Sequence, residues 1–432
     1  MHLFFLNQLC FANTTRALLF FLILFLFPNM SVAEVIQVTP KEDLQAILDA
    51  ANEGDTISLM EGVFYGNFII AKAVTINGHK EAVIDAQGVG NALLLKSGHV
   101  VIENLNIINW GGDLTEQNAG IYLDVNVQDI IIRNNILFGK GFGIWLQKGE
   151  YIKVIGNTIR GDPLLRSSDR GNGIQLSVVK HVDVVNNDVS DTRDGIYIIS
   201  SQENVIDSNV MHDLRYGIHY MYSHSNKIKG NIVYQARAGY ALMSSKSLIV
   251  ENNISRDCED YGILMNFITS SVISHNIIKS IVTKPENKVL GRDGKGFFIY
   301  NSYHNVISQN VIENAEIGIN LTAGSENNQI FENVFINNQQ QVKFVANRLE
   351  NWSLNRKGNF WSNYLGWDLN KDGIGDIPFK PNDGIDKLIW QYPETQILVN
   401  SPAILMLRWI QTQFPLFKSQ GIQDDFPMMQ FD

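Results

Sequence analysis

Apolar positions in this chain fall in short, Ile- and Val-rich runs, separated by glycine and polar residues at a nearly constant spacing. The pattern is plainest in Gly195-Ile196-Tyr197, Gly217-Ile218-His219, Gly239-Tyr240-Ala241 and Gly262-Ile263-Leu264, whose glycines step by 22, 22 and 23 residues. A second mark keeps phase with the first: an aliphatic residue, two others, Asn, then Ile or Val. It reads Ile206-x-x-Asn209-Val210, Ile228-x-x-Asn231-Ile232, Val250-x-x-Asn253-Ile254 and Ile273-x-x-Asn276-Ile277. A fixed period in this range is the signature of a solenoid whose repeats share one continuous core. β-Branched runs with Asn and Gly at the corners specify strands and tight turns. The fold class predicted is all-β, a right-handed single-stranded parallel β-helix.

Upstream the glycine mark recurs at Gly120, Gly143 and Gly173, and the Asn mark at Asn135, with Thr158 and Asp188 taken for its slot. Downstream come Gly296 and Gly318, with Asn310 and Asn333. The interval from Gly to the next Asn mark stays at 14 or 15 residues, whereas the return interval lengthens in three places. Insertions therefore enter at one corner, and the segments around Trp110–Asn118, Gly161–Arg170 and Val282–Asp293 are expected to protrude from one side of the coil.

The rest of the chain divides around this body. Residues 1–33 read as a secretory signal peptide: Arg16, an apolar run from Ala17 to Phe27, then Ser31-Val32-Ala33. That run is short of the ~20 residues needed to span a bilayer. Residues 34–100 form an N-terminal cap with the first rungs. Thr39 is the N-cap candidate of an amphipathic helix carrying Leu44, Ile47 and Leu48, and 55–59 and 74–76 are strands. Residues 101–341 hold the repeats, 342–395 the last rungs, and 396–432 a helical tail. A net charge of -10 excludes a nucleic-acid partner. Beyond Cys10 in the leader there is one cysteine, Cys258, read as a small apolar filler rather than a thiolate ligand.

Strand alternation separates inside from outside. With Ile196, Ile218, Tyr240 and Ile263 inside, the residues two after each glycine face out: Tyr122, Trp145, Gln175, Tyr197, His219, Ala241, Leu264 and Phe298. The residues four after also face out, which makes Met221 and Met243 neighbours on adjacent rungs, with His219 on the strand of Met221. Thioethers and imidazole suit cuprous copper, and Met211, His212 and His224 enlarge the candidate set. A Met-rich docking patch is the alternative.

Past residue 341 the repeat fades into Asn359-Phe360-Trp361-Ser362 and a loop with oxygen side chains at alternate positions. Asp368, Asn370, Asp372, Ile374 and Asp376 make a candidate structural Ca2+ site, although Phe379 stands where an EF-hand closes with Glu. The helix expected over 402–414 carries Ile404, Leu405, Leu407, Trp409 and Ile410 for docking on a membrane protein or bilayer surface. The acidic-Pro-Met end, Asp424-Asp425-Phe426-Pro427-Met428-Met429, reads as an extended peptide for a partner.

A carbohydrate-binding or carbohydrate-cleaving β-helix protein is the rival function. Trp145, Tyr197 and Phe298 would suit sugar stacking, but no stacked outward carboxylates are found, and Gly-His-Gly and Arg-Ile-Lys motifs are missing. Taken together, the leader, the Gly-Ile and Asn-Ile/Val marks, Gly358-Asn359-Phe360-Trp361-Ser362, the Asp368–Asp376 loop and the Pro402–Phe414 tail resemble the NosD family. These are periplasmic accessory proteins for nitrous oxide reductase maturation. The resemblance implies a non-enzymatic role beside the membrane subunit of an ABC transporter, passing copper or sulfur species to the reductase. It also implies a copper-chaperone lipoprotein as a further partner. No Gly-x-x-x-x-Gly-Lys-Ser/Thr loop is present, so ATP hydrolysis would belong to another subunit.

Overall fold

The computed structural model describes residues 33–322, 324–346, 348–398, 401–413 and 421–431, so all but the last residue of the expected leader lies outside it. It is a right-handed parallel β-helix. Each turn runs through a strand of one face, an asparagine corner, a second face, another corner, and a third face. Among the described residues the first face holds thirteen strands, from Val35–Val38 to Gln329–Phe331. The other two faces run together through Val210–Met221 and Ile232–Met243, strands that bend across the corner without a break.

The observed register is the one expected from alternation. Tyr122 pairs with Trp145, Trp145 with Gln175, Gln175 with Tyr197, Tyr197 with His219, and His219 with Ala241. Inside, Ile196, Ile218, Tyr240 and Ile263 are fully buried in one stack. The Tyr240 hydroxyl has two carbonyl oxygens within reach of its one proton, Asn231 at 2.8 Å and Ile254 at 3.1 Å, which lets a phenol sit in an apolar core. Gly195 has no room for a side chain: a Cβ there would lie 2.6 Å from the Gly217 carbonyl and 2.9 Å from Met211 Cγ.

One corner is a ladder of buried amides. Each Asn side chain donates Nδ2 to Oδ1 of the Asn on the next rung, from Asn135 through Asn157, Asn187, Asn209, Asn231, Asn253, Asn276, Asn310 and Asn333 to Asn359, at 2.9–3.0 Å. The ladder corrects the sequence reading: Asn157 and Asn187 occupy the slot, and Thr158 and Asp188 are the strand residues that follow it. The slot before Asn135 holds Leu105, whose N–H donates to Asn135 Oδ1.

The three long insertions occupy equivalent corners between the second and third faces, since the strands flanking them stack in register. At the N-terminal end, helix α1 (Leu44–Ala50) buries Leu44 and Leu48 over the first rungs. Its N-cap is Asp43, which accepts from the Ala46 N–H, and not Thr39, which instead bonds Glu42. The C-terminal end is closed by Phe335, Trp352, Trp361 and Phe379, with Phe335 stacked on Trp361 at 4.2 Å.

The acidic-Pro-Met tail belongs to this closure. Ile422–Gln423 pairs with Glu350–Asn351, and fully buried Asp424 accepts from Trp361 Nε1 (2.8 Å) and the Asn359 N–H (2.7 Å). Its expected role as a free partner peptide is therefore overturned, because two Trp361-corner donors would be left unsatisfied without it. Between the last rungs and this tail come helices α2 (Gly384–Gln391) and α3 (Pro402–Gln413), joined by Arg408, which pairs with Asp383 and with Asp386 at 2.8 Å.

Candidate functional site

The outward residues of the third face, from the first insertion past the second to the rung of His219, line a cleft of about 560 Å³. The insertions supply Leu114, Gln117 and Arg170. The strands supply Phe142, Trp145, Gln147, Gln175, Tyr197 and His219, and the corner before them Arg193, Asp194 and Arg215. Tyr122 and Trp145 lie parallel, 6.2 Å apart, with Phe142 edge-on to Trp145 at 4.6 Å.

His219 and Asp194 carry the chemistry. His219 is 7% exposed, packed between the rings of Tyr197 (4.6 Å) and Tyr216 (5.2 Å), so the expectation of a fully open sheet position is corrected. Tyr197 on the preceding rung and Tyr216 on its own strand fold over it. Its Nδ1 lies 2.9 Å from Asp194 Oδ2, and Arg215 donates to both oxygens of the same carboxylate, at 2.8 and 2.6 Å. Burial pushes Asp194 towards the neutral acid, but the bonds from His219 and Arg215 hold its pKa below the ordinary value. An ionised carboxylate can only accept, so Nδ1 carries the proton it receives. The neutral ring then has its lone pair on Nε2, which is buried and has no hydrogen-bond partner. A carboxylate that fixes the tautomer in this way is the usual support of a metal-binding histidine.

Met221 and Met243 are register partners, both half-buried, and the Tyr197 hydroxyl donates to Met221 Sδ at 3.2 Å. The other copper candidates are set apart. Met211 is fully buried in the core beneath Gly195. His212 stacks on Tyr234 in the second face and bonds Asp213 at 2.7 Å. His224 lies on the turn towards the first face, where Nδ1 accepts from the Lys246 N–H at 3.2 Å. Cys258 is also buried, and burial raises its thiol to about 11, which keeps it from serving as a thiolate. Among the described residues no three His, Cys, Asp or Glu side chains gather as a metal cluster. A site here would depend on thioethers.

A family model described as "Periplasmic copper-binding protein (NosD)" matches residues 155–366. A protein of Stutzerimonas stutzeri named "Probable ABC transporter binding protein NosD" is 46% identical over 86% of this chain and 86% of its own length. This chain belongs to the NosD family. A protein of the same name from Pseudomonas aeruginosa is 48% identical over 86% of this chain and 87% of its length. A family 28 exopolygalacturonase of Yersinia enterocolitica aligns with a TM-score of 0.58 at 9% identity, over 72% of this chain and 77% of that one; this likeness is one of fold.

Sequence reasoning found the NosD-type β-helix and the column of His219 but passed over Asp194 as a turn residue. The missed signal is the column one residue before each glycine, which carries Phe142, Asn172, Asp194, Tyr216 and Tyr261. Strict alternation would set it opposite His219, but at each corner the glycine itself faces the core, which breaks the alternation and returns Phe142, Asn172 and Asp194 to the cleft wall.

At the far end, the Asp368–Asp376 loop is closed on itself. Asp368 accepts from the Gly373 N–H (2.8 Å), Asn370 from Asp372 (3.0 Å), Asp372 from Ile374 (2.9 Å) and Asp376 from Leu369 (2.8 Å). On α3, Leu405, Met406, Leu407 and Trp409 are exposed, while Ile404 and Ile410 are half-buried. No helix among the described residues is long and apolar enough to cross a membrane.

Proposed function

We propose that this protein is a periplasmic, non-enzymatic copper carrier that works with an ABC transporter in maturing the copper centres of nitrous oxide reductase. The observation that carries the reading is His219 Nε2, buried and without a hydrogen-bond partner on a residue that lines the cleft, on the strand that also bears Met221. His219, Met221 and Met243 would hold Cu(I) transiently, and Asp194 would keep the imidazole in the metal-binding tautomer. Few ligands make a site that releases its cargo. The name of the relatives, ABC transporter binding protein, supports a transporter as partner. The exposed apolar residues of α3 supply a surface for its membrane subunit, and a copper-chaperone lipoprotein would load the cleft. Asp194 is the single carboxylate among the residues lining the cleft and is already ion-paired, which does not favour the sugar-cleaving alternative.

Replacing Met221 and Met243 by Leu keeps the apolar area and removes both sulfurs. The double variant is expected to fold and to bind the transporter, but to lose at least tenfold in Cu(I) affinity and to leave the reductase copper-poor. Full copper content of the reductase in that background rejects the site.

A further inference from the structure

The corner before the cleft carries a row of arginines, of which one has no counter-charge. Arg193, Arg215 and Arg237 occupy the same position on successive rungs: the Arg215 N–H donates to the Arg193 carbonyl, and the flanking residues of Arg215 and Arg237 are paired. Arg215 is neutralised by Asp194, and Arg237 by Asp260 at 2.5 Å. Beside Arg193 the places equivalent to Asp194 and Asp260 hold Asn172 and Arg215, and among the described residues its side chain makes no hydrogen bond or ion pair. Arg170 donates to the carbonyls of Pro163, Leu165 and Asp191, so its charge meets no carboxylate either. The cleft is thus lined by three guanidiniums against one carboxylate, on a chain of net charge -10. A buried Gln175, held by the Asn172 amide at 2.7 Å, and the unpartnered His219 Nε2 line the same wall.

We propose that the cleft recognises a copper donor whose metal-bearing segment is anionic, with Arg193 as the residue that draws its carboxylates in. This rests on the copper reading above and adds the chemistry of the donor. An acidic protein repels an anionic donor at long range, so a local excess of cation beside the ligands is what permits approach. In the transfer the bonds between copper and the donor break as bonds to His219 Nε2 and the two thioethers form; copper stays Cu(I), and the donor leaves as the anion it was. Arg193 makes no bond to the metal and acts by positioning.

The test is stopped-flow transfer to the mature full-length protein from two probes: the anionic Cu(I) complex of bicinchoninate, a dicarboxylate, and the cationic Cu(I) complex of acetonitrile. Arg193→Gln is expected to slow uptake from the anionic complex by about three- to tenfold at low salt, with less effect as salt rises. Uptake from acetonitrile and the final Cu(I) affinity should not change, and Arg193→Lys should restore most of the rate. Equal rates from bicinchoninate for wild type and Arg193→Gln overturn the inference while leaving copper binding intact. Failure of the wild type to take Cu(I) from either probe overturns the copper reading and this inference with it.

Discussion

Asp194 shows how much one side chain can decide. It is 1% exposed and joins a guanidinium, an imidazole and the Asn172 amide oxygen, which accepts from the Asp194 N–H at 3.2 Å. Asp194→Asn leaves Arg215 without its counter-charge and replaces one of the two acceptor oxygens shared by Arg215 and His219 with an amide donor, so one of the two loses its partner; the loss is expected to be about 3 kcal/mol at neutral pH. Because the folded pKa of Asp194 is depressed, its contribution is present above the unfolded value of about 3.9 and fades as pH falls through the lower folded value. Urea melts of wild type and Asp194→Asn should therefore converge below about pH 4. A difference that stays constant from pH 7 to 3 would show that the carboxylate charge is irrelevant. In the same variant Cu(I) affinity should fall although no ligand has been touched.

At the scale of elements, the amide ladder and the insertion corner make separate claims. Asn157 donates to Asn187 Oδ1 and to the Ile132 carbonyl and accepts from Asn135, all buried, so Asn157→Ala strands several polar groups and is expected to cost about 2–4 kcal/mol. Thr158→Ala, one residue on and half-buried, should cost about 0.5 kcal/mol or less. Thermal melts that rank the pair the other way would refute the ladder's register. The Asp368–Asp376 loop tests differently. The sequence expects Ca2+ to raise the melting temperature and Asp372→Ala to abolish the rise; equal melting of wild type in calcium and in chelator leaves a turn held by its own N–H bonds. For α3, Leu405→Ser with Leu407→Ser should leave the melt unchanged, because both residues are exposed, and should weaken co-purification with the transporter if this surface docks there.

For the whole molecule, the two ends are closed by unlike means, and the closures set which truncations are informative. A cut after Val399 removes the helical tail together with residues 421–431. The structure makes that cut destructive, since Gly421–Phe431 returns to cover the last rungs and places Asp424 under Trp361. The truncated chain is expected to melt at a lower temperature than the full chain, whereas the two serine changes on α3 should not. A truncation as stable as the full chain would mean that the tail adds nothing to the end of the core.

The sequence alone determined the coil, its register and the corner that takes insertions, because a period near 22 and strict alternation leave a parallel solenoid few other ways to bury its Ile and Val. Local pattern also placed Met221 beside Met243 and His219 on the same strand. It could not tell Asn157 from Thr158 as the ladder residue, since a one-residue shift changes the spacing little while exchanging inside for outside. Nor could it reject Met211 as a ligand or join Asp194 to His219. Those contacts lie 25 residues apart in sequence, and only stacking of rungs brings an outer carboxylate on one turn to an imidazole on the next. The return of the C-terminal tail was equally beyond it. Asp424 meets Trp361 across 63 residues, a long-range pairing chosen by which donors the open end of the core leaves unsatisfied.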